Sequence, residues 1–294
     1  MVQKIYLNGQ FLSKEEAKIS VYDHGFLYGD GIFEGLRTYN SRIFKLSEHI
    51  DRLYKSAKYI SLNIPVTKDK LFNIVVKTAS LNGYKNSYIR IVVTRGEGDL
   101  GLDPNKCKNP SLLVIVDKIE LYPEQFYKEG LEVITIATQR NTLGALDPQV
   151  KSLNYLNNIL AKIEAINAGF IEAIMLNRDG LVIECTGDNI FIVEDGVLKT
   201  PPPHIGSLNG ITRRTIIDIA KELSIEVKEE VFSRYNLFNA NECFLTGTAA
   251  EIVPVVTVDG RTIGTGKVGS ITTQLREAFR ELTEREGIPY LCEK

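Results

Sequence analysis

Apolar residues recur at helical spacing in two stretches of the first third of the chain and at every second position in several shorter runs. After Ser47, the expected N-cap, Ile50, Leu53, Tyr54 and Ala57 share one helical face while Asp51, Arg52 and Lys55 fall on others. A second helix is predicted from the N-cap Thr67 to near Gly83, with Leu71, Ile74, Val75 and Ala79 as its stripe. Short β-rich runs, IYLNGQFL and RIFKL, precede the first helix. Two clearer strands follow the second, SYIRIVVT at 87–94 and SLLVIVDK at 111–118, separated by the glycine-rich loop GEGDLGLDPNKCKNP.

Between Tyr122 and Gly130 the pattern breaks at a proline and resumes with the strand LEVITIA. Residues 119–130 are therefore expected to link a small α/β domain, 1–118, to a larger domain, 131–294. The larger one runs through Lys151 into a helix bearing Leu156, Ile159, Leu160 and Ile163 and ending near Gly169. Strand runs EAIMLN, FIVED and GVLKT are punctuated by Asp179-Gly180 and Asp195-Gly196. Then come a helix after Asn209-Gly210, strands at IEVKEE, ECFLT and IVPVVTV, and a last helix from about Ser270. The predicted class is α+β, or mixed α/β, in two domains, with no internal repeat.

The 294 residues are 44% hydrophobic and 24% charged, enough apolar side chain for a sizeable core. Lys and Arg total 35 against 37 Asp and Glu, a formal charge of -2, so no broad positive field recruits nucleic acid or an anionic membrane. A small-molecule ligand is the expected partner. Cys107, Cys185, Cys243 and Cys292 form no Cys-x-x-Cys pair, which suits a reducing cytoplasm. No run approaches the roughly 18 apolar residues of a membrane span. The three histidines, His24, His49 and His204, show no metal-ligand spacing, and no metal is expected.

Lys151 stands in QVKSLNYL between a strand and a helix, among apolar and amide neighbours. Desolvation favours the neutral amine that attacks a carbonyl, although a surface lysine at a helix start is the ordinary reading of this segment alone. Glu184 ends an apolar strand run in LVIECTGDNIF, where a carboxylate needs a partner: a protonated pyridine nitrogen, or an ordinary salt bridge. Asn209 to Arg213 opens a helix whose free amides attract an anion, with the Thr212 hydroxyl as a further donor. Thr246-Gly247-Thr248-Ala249-Ala250 is a small-residue turn whose amides can approach a ligand. Period-two spacing puts Tyr88, Arg90 and Val92 on one strand face, where Arg90 meets either a ligand carboxylate or a cross-strand acid. DHGFLYGDGIFEGLRTY combines glycines that permit tight backbone with aromatics that can wall a pocket.

Together these segments resemble, over nearly the whole chain, the class IV aminotransferases of pyridoxal-phosphate fold type IV. DHGFLYGDGIFEGLRTY, EHIDRLYKSAK, YIRIVVTRGEGDLGLDP, VKSLNYLNNILAKIEA, ECTGDNIFIV, GITRRTI and LTGTAAEIVPV occur in the family's order. YGDGIFEGLR, Tyr88-Ile89-Arg90 and Gly247-Thr248-Ala249-Ala250 resemble the branched-chain subgroup. The resemblance implies pyridoxal 5′-phosphate as cofactor and Lys151 as Schiff-base lysine and proton shuttle. It implies Glu184 on the pyridine nitrogen, Tyr155 on the phenolic oxygen, and Arg52, Ile211, Thr212 and Thr248 on the phosphate. Tyr28, Phe33, Arg37, Tyr88, Arg90, Tyr122, Ala249 and Ala250 would line the substrate pocket, with Leu102 arriving from a partner subunit. The implied reaction is ping-pong transfer between leucine, isoleucine or valine and 2-oxoglutarate, in a cytoplasmic homodimer or higher oligomer. Rival functions are a D-amino acid transaminase, an aminodeoxychorismate lyase and a non-catalytic pyridoxal-phosphate-binding protein. The first would typically carry a Ser-Thr-Thr-Ser-like turn where this chain has Gly247 to Ala250, and an Arg-x-His feature where it has Gly-Asp-Leu-Gly.

Overall fold

A computed structural model describes residues 3–118 and 122–291. Residues 119–121 of the expected linker, and Cys292, lie outside the described residues. The chain divides into two compact units: Met1–Glu120 with Val150–Asn154 and Thr283–Lys294, and Leu121–Gln149 with Tyr155–Leu282.

The first unit carries β1 (Lys4–Leu7), β2 (Gln10–Ser13), α1 (His24–Tyr28), β3 (Gly31–Tyr39), β4 (Arg42–Ile43), α2 (Leu46–Tyr59), α3 (Lys68–Asn82), β5 (Ser87–Thr94) and β6 (Ser111–Asp117). Among the described residues these strands and a short one at Ile288–Pro289 form a sheet in the order Ile288–Pro289, β4, β3, β5, β6, β1, β2. The β1–β2 hairpin turns on Asn8 and Gly9 at φ 45 and 98, the left-handed pair that a two-residue turn requires. The α3 prediction holds residue for residue: Thr67 accepts from the Lys70 amide, Gly83 closes the helix at φ 67, and Leu71, Ile74, Val75 and Ala79 are buried. For α2 the stripe holds and the cap does not. Helix begins at Leu46 after Lys45 at φ 50, so Ser47 sits inside the first turn and no side chain caps it.

The strand that matters most, β3, carried no period-two signal, because Gly31, Glu34, Gly35 and Arg37 interrupt its apolar residues. It is central all the same, pairing with β5 over eight residues from Gly31↔Thr94 to Thr38↔Ser87. Ile32 and Leu36 face the core that α2 and α3 cover.

The second unit holds α4 (Glu124–Glu129), β7 (Leu131–Thr135), α5 (Leu156–Asn167), β8 (Ala173–Leu176), β9 (Val182–Cys185), β10 (Asn189–Glu194), β11 (Val197–Thr200), α6 (Ile211–Glu222), β12 (Val227–Glu229), α7 (Arg234–Asn239), β13 (Glu242–Gly247), β14 (Glu251–Val258), β15 (Arg261–Thr262) and, as far as Leu282, α8 (Ser270–Arg285). Its sheet runs β12, β11, β10, β13, β14, β7, β8, β9, with β15 beside β14. Val133, Ile174, Ile190, Leu245 and Val253 are fully buried in its core, and Tyr127 of α4 joins them. The α5 stripe faces outward: Asn158, Ala161 and Ala165 are buried, while Leu156, Ile159, Leu160, Ile163 and Ile166 are 46–65% exposed.

Candidate active site

In the first unit, Val150–Asn154 extends the sheet at the open end of β3. Ile32 bridges Ser152, the Phe33 amide donates to the Lys151 carbonyl at 2.9 Å, and the Leu153 amide donates to Gly31 at 2.9 Å. From α2, the Ser56 hydroxyl accepts from the Lys151 amide at 3.3 Å. The backbone of Lys151 is thus fixed by a strand and a helix before its side chain does anything. Its Nζ lies 4.6 Å from the centroid of the Phe33 ring.

The same ring carries a second cation. The Arg90 guanidinium stands 4.4 Å over Phe33 and 5.5 Å from the Tyr88 ring. This follows from register, since Phe33, Gly35 and Arg37 pair with Val92, Arg90 and Tyr88 and so share their face. Gly35 is what admits Tyr88: a Cβ there would come within 1.9 Å of the phenol oxygen. Arg37 is buried over Tyr39 at 4.5 Å. Tyr28 accepts from the Gly101 amide at 3.0 Å, which ties it to the loop whose next residue, Leu102, is 82% exposed.

On the opposite face of β3, Glu34 is 0% exposed and accepts three bonds. Arg52 donates through Nε to Oε1 at 2.7 Å and through Nη2 to Oε2 at 2.8 Å, and His49 Nδ1 lies 2.7 Å from Oε2. Burial pushes the Glu34 carboxyl up, but the paired guanidinium and the imidazole outweigh it and hold it at about 2. Burial pulls His49 below its usual value against the smaller upward pull of Glu34, so the neutral ring donates from Nδ1.

In the second unit, Glu184 is the penultimate residue of β9, a buried carboxylate with several donors. Arg140 donates through Nε to Oε1 at 2.7 Å, and Oε2 accepts from the Leu208 amide at 2.9 Å and from Asn189 Nδ2 at 3.3 Å. Tyr155 caps the N-terminus of α5, and its carbonyl accepts from the Ile159 amide at 2.9 Å. Tyr122 packs on the core, and burial raises its phenol.

The N-terminus of α6 begins with Ile211 and Thr212 after Gly210, which contributes no side-chain cap, so the first-turn amides stay available to an anion. A Cβ on Gly210 would meet Asn189 Oδ1 at 2.0 Å, which is why glycine stands there. At the end of β13, Thr246 is 1% exposed and its Oγ1 finds no partner among the described residues; Thr248 is half-buried, Ala249 exposed and Ala250 buried. An amine, a buried carboxylate, an uncapped helix start and an orphaned hydroxyl are the donor and acceptor types that pyridoxal 5′-phosphate needs, and the residues present fit it.

Lys151, Arg52, Phe33, Tyr88 and Arg90 are therefore gathered in one unit, and Glu184, Tyr155, Ile211, Thr212 and Thr248 belong to the other. Glu34, His49, Ser56, Arg140 and Asn189 were missed by sequence reasoning. Two signals existed: the lone acid inside GIFEGL, and the i, i+3, i+7 spacing of His49, Arg52 and Ser56 on one face of α2.

Comparison with known proteins agrees with this chemistry. The family described as "Amino-transferase class IV" matches residues 31–258. A Methanocaldococcus jannaschii protein, provisionally named a branched-chain-amino-acid aminotransferase, is 51% identical over 97% of this chain and 98% of its own length. A D-alanine aminotransferase of Staphylococcus aureus is 36% identical over 98% and 100% of the two chains. The crystal structure of the Escherichia coli branched-chain amino acid aminotransferase superposes with a TM-score of 0.94 at 35% identity, covering 97% of each chain. That of the T.th. branched-chain amino acid aminotransferase with pyridoxamine 5′-phosphate superposes at 0.93 and 37%, covering 97% and 95%.

Proposed function

The chain belongs to the class IV aminotransferase family, and on that premise we propose that it transfers amino groups from leucine, isoleucine and valine to 2-oxoglutarate, giving branched-chain 2-oxo acids and L-glutamate. The observation that carries this reading is the Phe33 ring shared by Lys151 Nζ and the Arg90 guanidinium. An amine for the chemistry and one cation for a carboxylate stand against an aromatic wall, so an apolar side chain and a glutamate side chain can use one place in turn.

Pyridoxal 5′-phosphate is the cofactor and, when bound, supplies an electron sink for the charge that develops at the substrate Cα. Lys151 would hold it covalently and, once released, move the Cα proton on its Nζ. Glu184 would accept from the pyridine nitrogen and keep it charged. Tyr155 would donate to the phenolic oxygen, and Arg52, Ile211, Thr212 and Thr248 would hold the phosphate. Tyr28, Arg37, Tyr88, Tyr122, Leu102, Ala249 and Ala250 complete the proposed substrate wall.

The relative at 51% identity carries a branched-chain name, while the Staphylococcus D-alanine enzyme at 36% and the Escherichia coli branched-chain enzyme at 35% are equally near. Residues favour the branched-chain reading: Gly247-Thr248-Ala249-Ala250 presents small apolar side chains, and Gly98-Asp99-Leu100-Gly101 carries no basic residue for an α-carboxylate. We further propose a homo-oligomer, supported by the exposed apolar row of α5. A cytoplasmic location is supported by Cys107, Cys185 and Cys243 being unpaired; among the described residues no helix is long and apolar enough to cross a membrane.

The test is single-turnover absorbance with leucine and with 2-oxoglutarate, comparing the parent protein with Lys151→Ala. The parent should be yellow and convert leucine, while the variant loses the visible absorbance and at least about 10⁴-fold of the rate with its fold intact. Pyruvate released from aminodeoxychorismate, or faster turnover of D-alanine than of leucine, would move the chain to a rival activity. No spectral change with any amino acid would leave only a binding protein.

A further inference from the structure

Glu34 is a fully buried carboxylate that touches neither of the groups assigned to substrate or to proton transfer. We propose that Glu34 is a positioning residue: it fixes the Arg52 guanidinium in the orientation that receives the cofactor phosphate, and His49 fixes Glu34 in turn. The proposal rests on the reading that Arg52 binds that phosphate.

The geometry points this way for three reasons. Both Glu34 oxygens are engaged by Arg52, Oε1 by Nε at 2.7 Å and Oε2 by Nη2 at 2.8 Å, and this two-point contact sets the guanidinium plane as a single contact cannot. His49 Nδ1 at 2.7 Å from Oε2 removes the remaining freedom of the carboxylate. Finally, the clamp is anchored to the same backbone as Lys151. Glu34 follows Phe33, whose amide donates to the Lys151 carbonyl, and Ser56, one helical turn beyond Arg52, accepts from the Lys151 amide. One strand and one helix face therefore set both side chains.

Charge and orientation predict opposite signs, which makes the idea decidable. An ionised Glu34 cancels much of the Arg52 charge, so on charge alone its removal should tighten anion binding. If orientation governs, removal should weaken it.

The test uses the full-length protein stripped of cofactor and measures affinity for pyridoxal 5′-phosphate and for pyridoxal, which lacks the phosphate, in Glu34→Asp, Glu34→Gln, Arg52→Ala and the Glu34→Gln/Arg52→Ala double variant. Glu34→Asp keeps the charge and withdraws the carboxylate by one methylene, so it carries the test if Glu34→Gln does not fold. We expect each single variant to lose about ten- to a hundredfold in affinity for the phosphate ester and under about twofold for pyridoxal, with the double variant no worse than Arg52→Ala. Unchanged or tighter phosphate-ester binding in both Glu34 variants, with Arg52→Ala still weakened, overturns the positioning role and leaves the phosphate reading standing. Unchanged binding in Arg52→Ala overturns the phosphate reading and this inference with it. Equal losses for the two ligands in the Glu34 variants make Glu34 a support of the fold and overturn the proposal.

Discussion

Glu34 and Glu184 each accept from an arginine Nε at 2.7 Å, yet the remainder of their coordination differs. Glu34, inside a strand, gives its bonds to side chains of one helix, and its ionised form is held down to about 2. Glu184, at a strand end, gives one oxygen to Arg140 and shares the other between a loop amide and Asn189. The Asn189 contact is long, 3.3 Å, and the same Nδ2 makes a shorter bond of 2.9 Å to the Leu208 carbonyl. A carboxylate saturated by short charged bonds serves the groups that saturate it. One whose acceptor is only loosely occupied can exchange that contact for a ligand's N–H at small cost. Glu34 therefore suits binding geometry, and Glu184 suits chemistry.

The largest expected effect tests that division directly. Glu184→Gln should keep bound cofactor but slow each half-reaction by about 10² to 10³-fold, because a neutral amide cannot keep a pyridine nitrogen charged. The Glu34 variants should instead raise the cofactor requirement and leave the rate at saturating cofactor within a few-fold. Single-turnover rates in saturating cofactor check both, and near-normal rates in Glu184→Gln would erase the distinction.

Arg90 sharpens the comparison, since it is the arginine that rings hold. Among the described residues no carboxylate lies within ion-pair distance of it, and its cross-strand neighbours are Gly35 and Ile115. An ordinary cross-strand ion pair, the alternative that the sequence left open, is not what the strand face presents. Arg90→Met should cost glutamate and 2-oxoglutarate about ten- to a hundredfold in specificity, the worth of one charge-assisted hydrogen bond, and cost leucine much less. Equal losses would assign Arg90 to the α-carboxylate common to both substrates or to the fold, with Arg37 next to test.

What the sequence could and could not reveal follows from the range of each interaction. Caps and stripes are local, so α3 was legible to the residue, and period-two alternation placed Arg90 on its face. The β3 strand was illegible because its glycines and charges answer to partners on β5, α2 and the Lys151 segment, far off in sequence. The supporting group Arg140 belongs to no local pattern, and the local signals at Glu34 and His49 name no partner; their pairing is visible only once strand and helix are brought together. The α5 stripe had the right period and the wrong neighbour, since periodicity reports an apolar face but not what covers it.

The smallest predicted effect concerns His49 and separates the two protons of the clamp by pH. Burial lowers the folded-state value of His49 below its ordinary 6.5, so an unfolded chain binds that proton first as pH falls. Its contribution to stability is whole above about 6.5 and is lost as pH drops through that value toward the folded one. Glu34, whose ordinary 4.5 is depressed to about 2, keeps its contribution until pH falls below about 4.5 and loses it toward 2. Between pH 7 and 5 only His49 of this pair titrates. His49→Gln can still donate to Glu34 but has no proton to gain, so it should be less stable by about 1 kcal/mol at pH 7 and show a flatter stability profile down to pH 5. Below about 4.5 variant and parent should both lose stability as Glu34 protonates, because Glu34 is shared. Chemical denaturation at fixed excess cofactor across this range measures the profile, and a variant that tracks the parent from pH 7 to 5 would mean that His49 holds Glu34 as a packed donor without linking the clamp to pH.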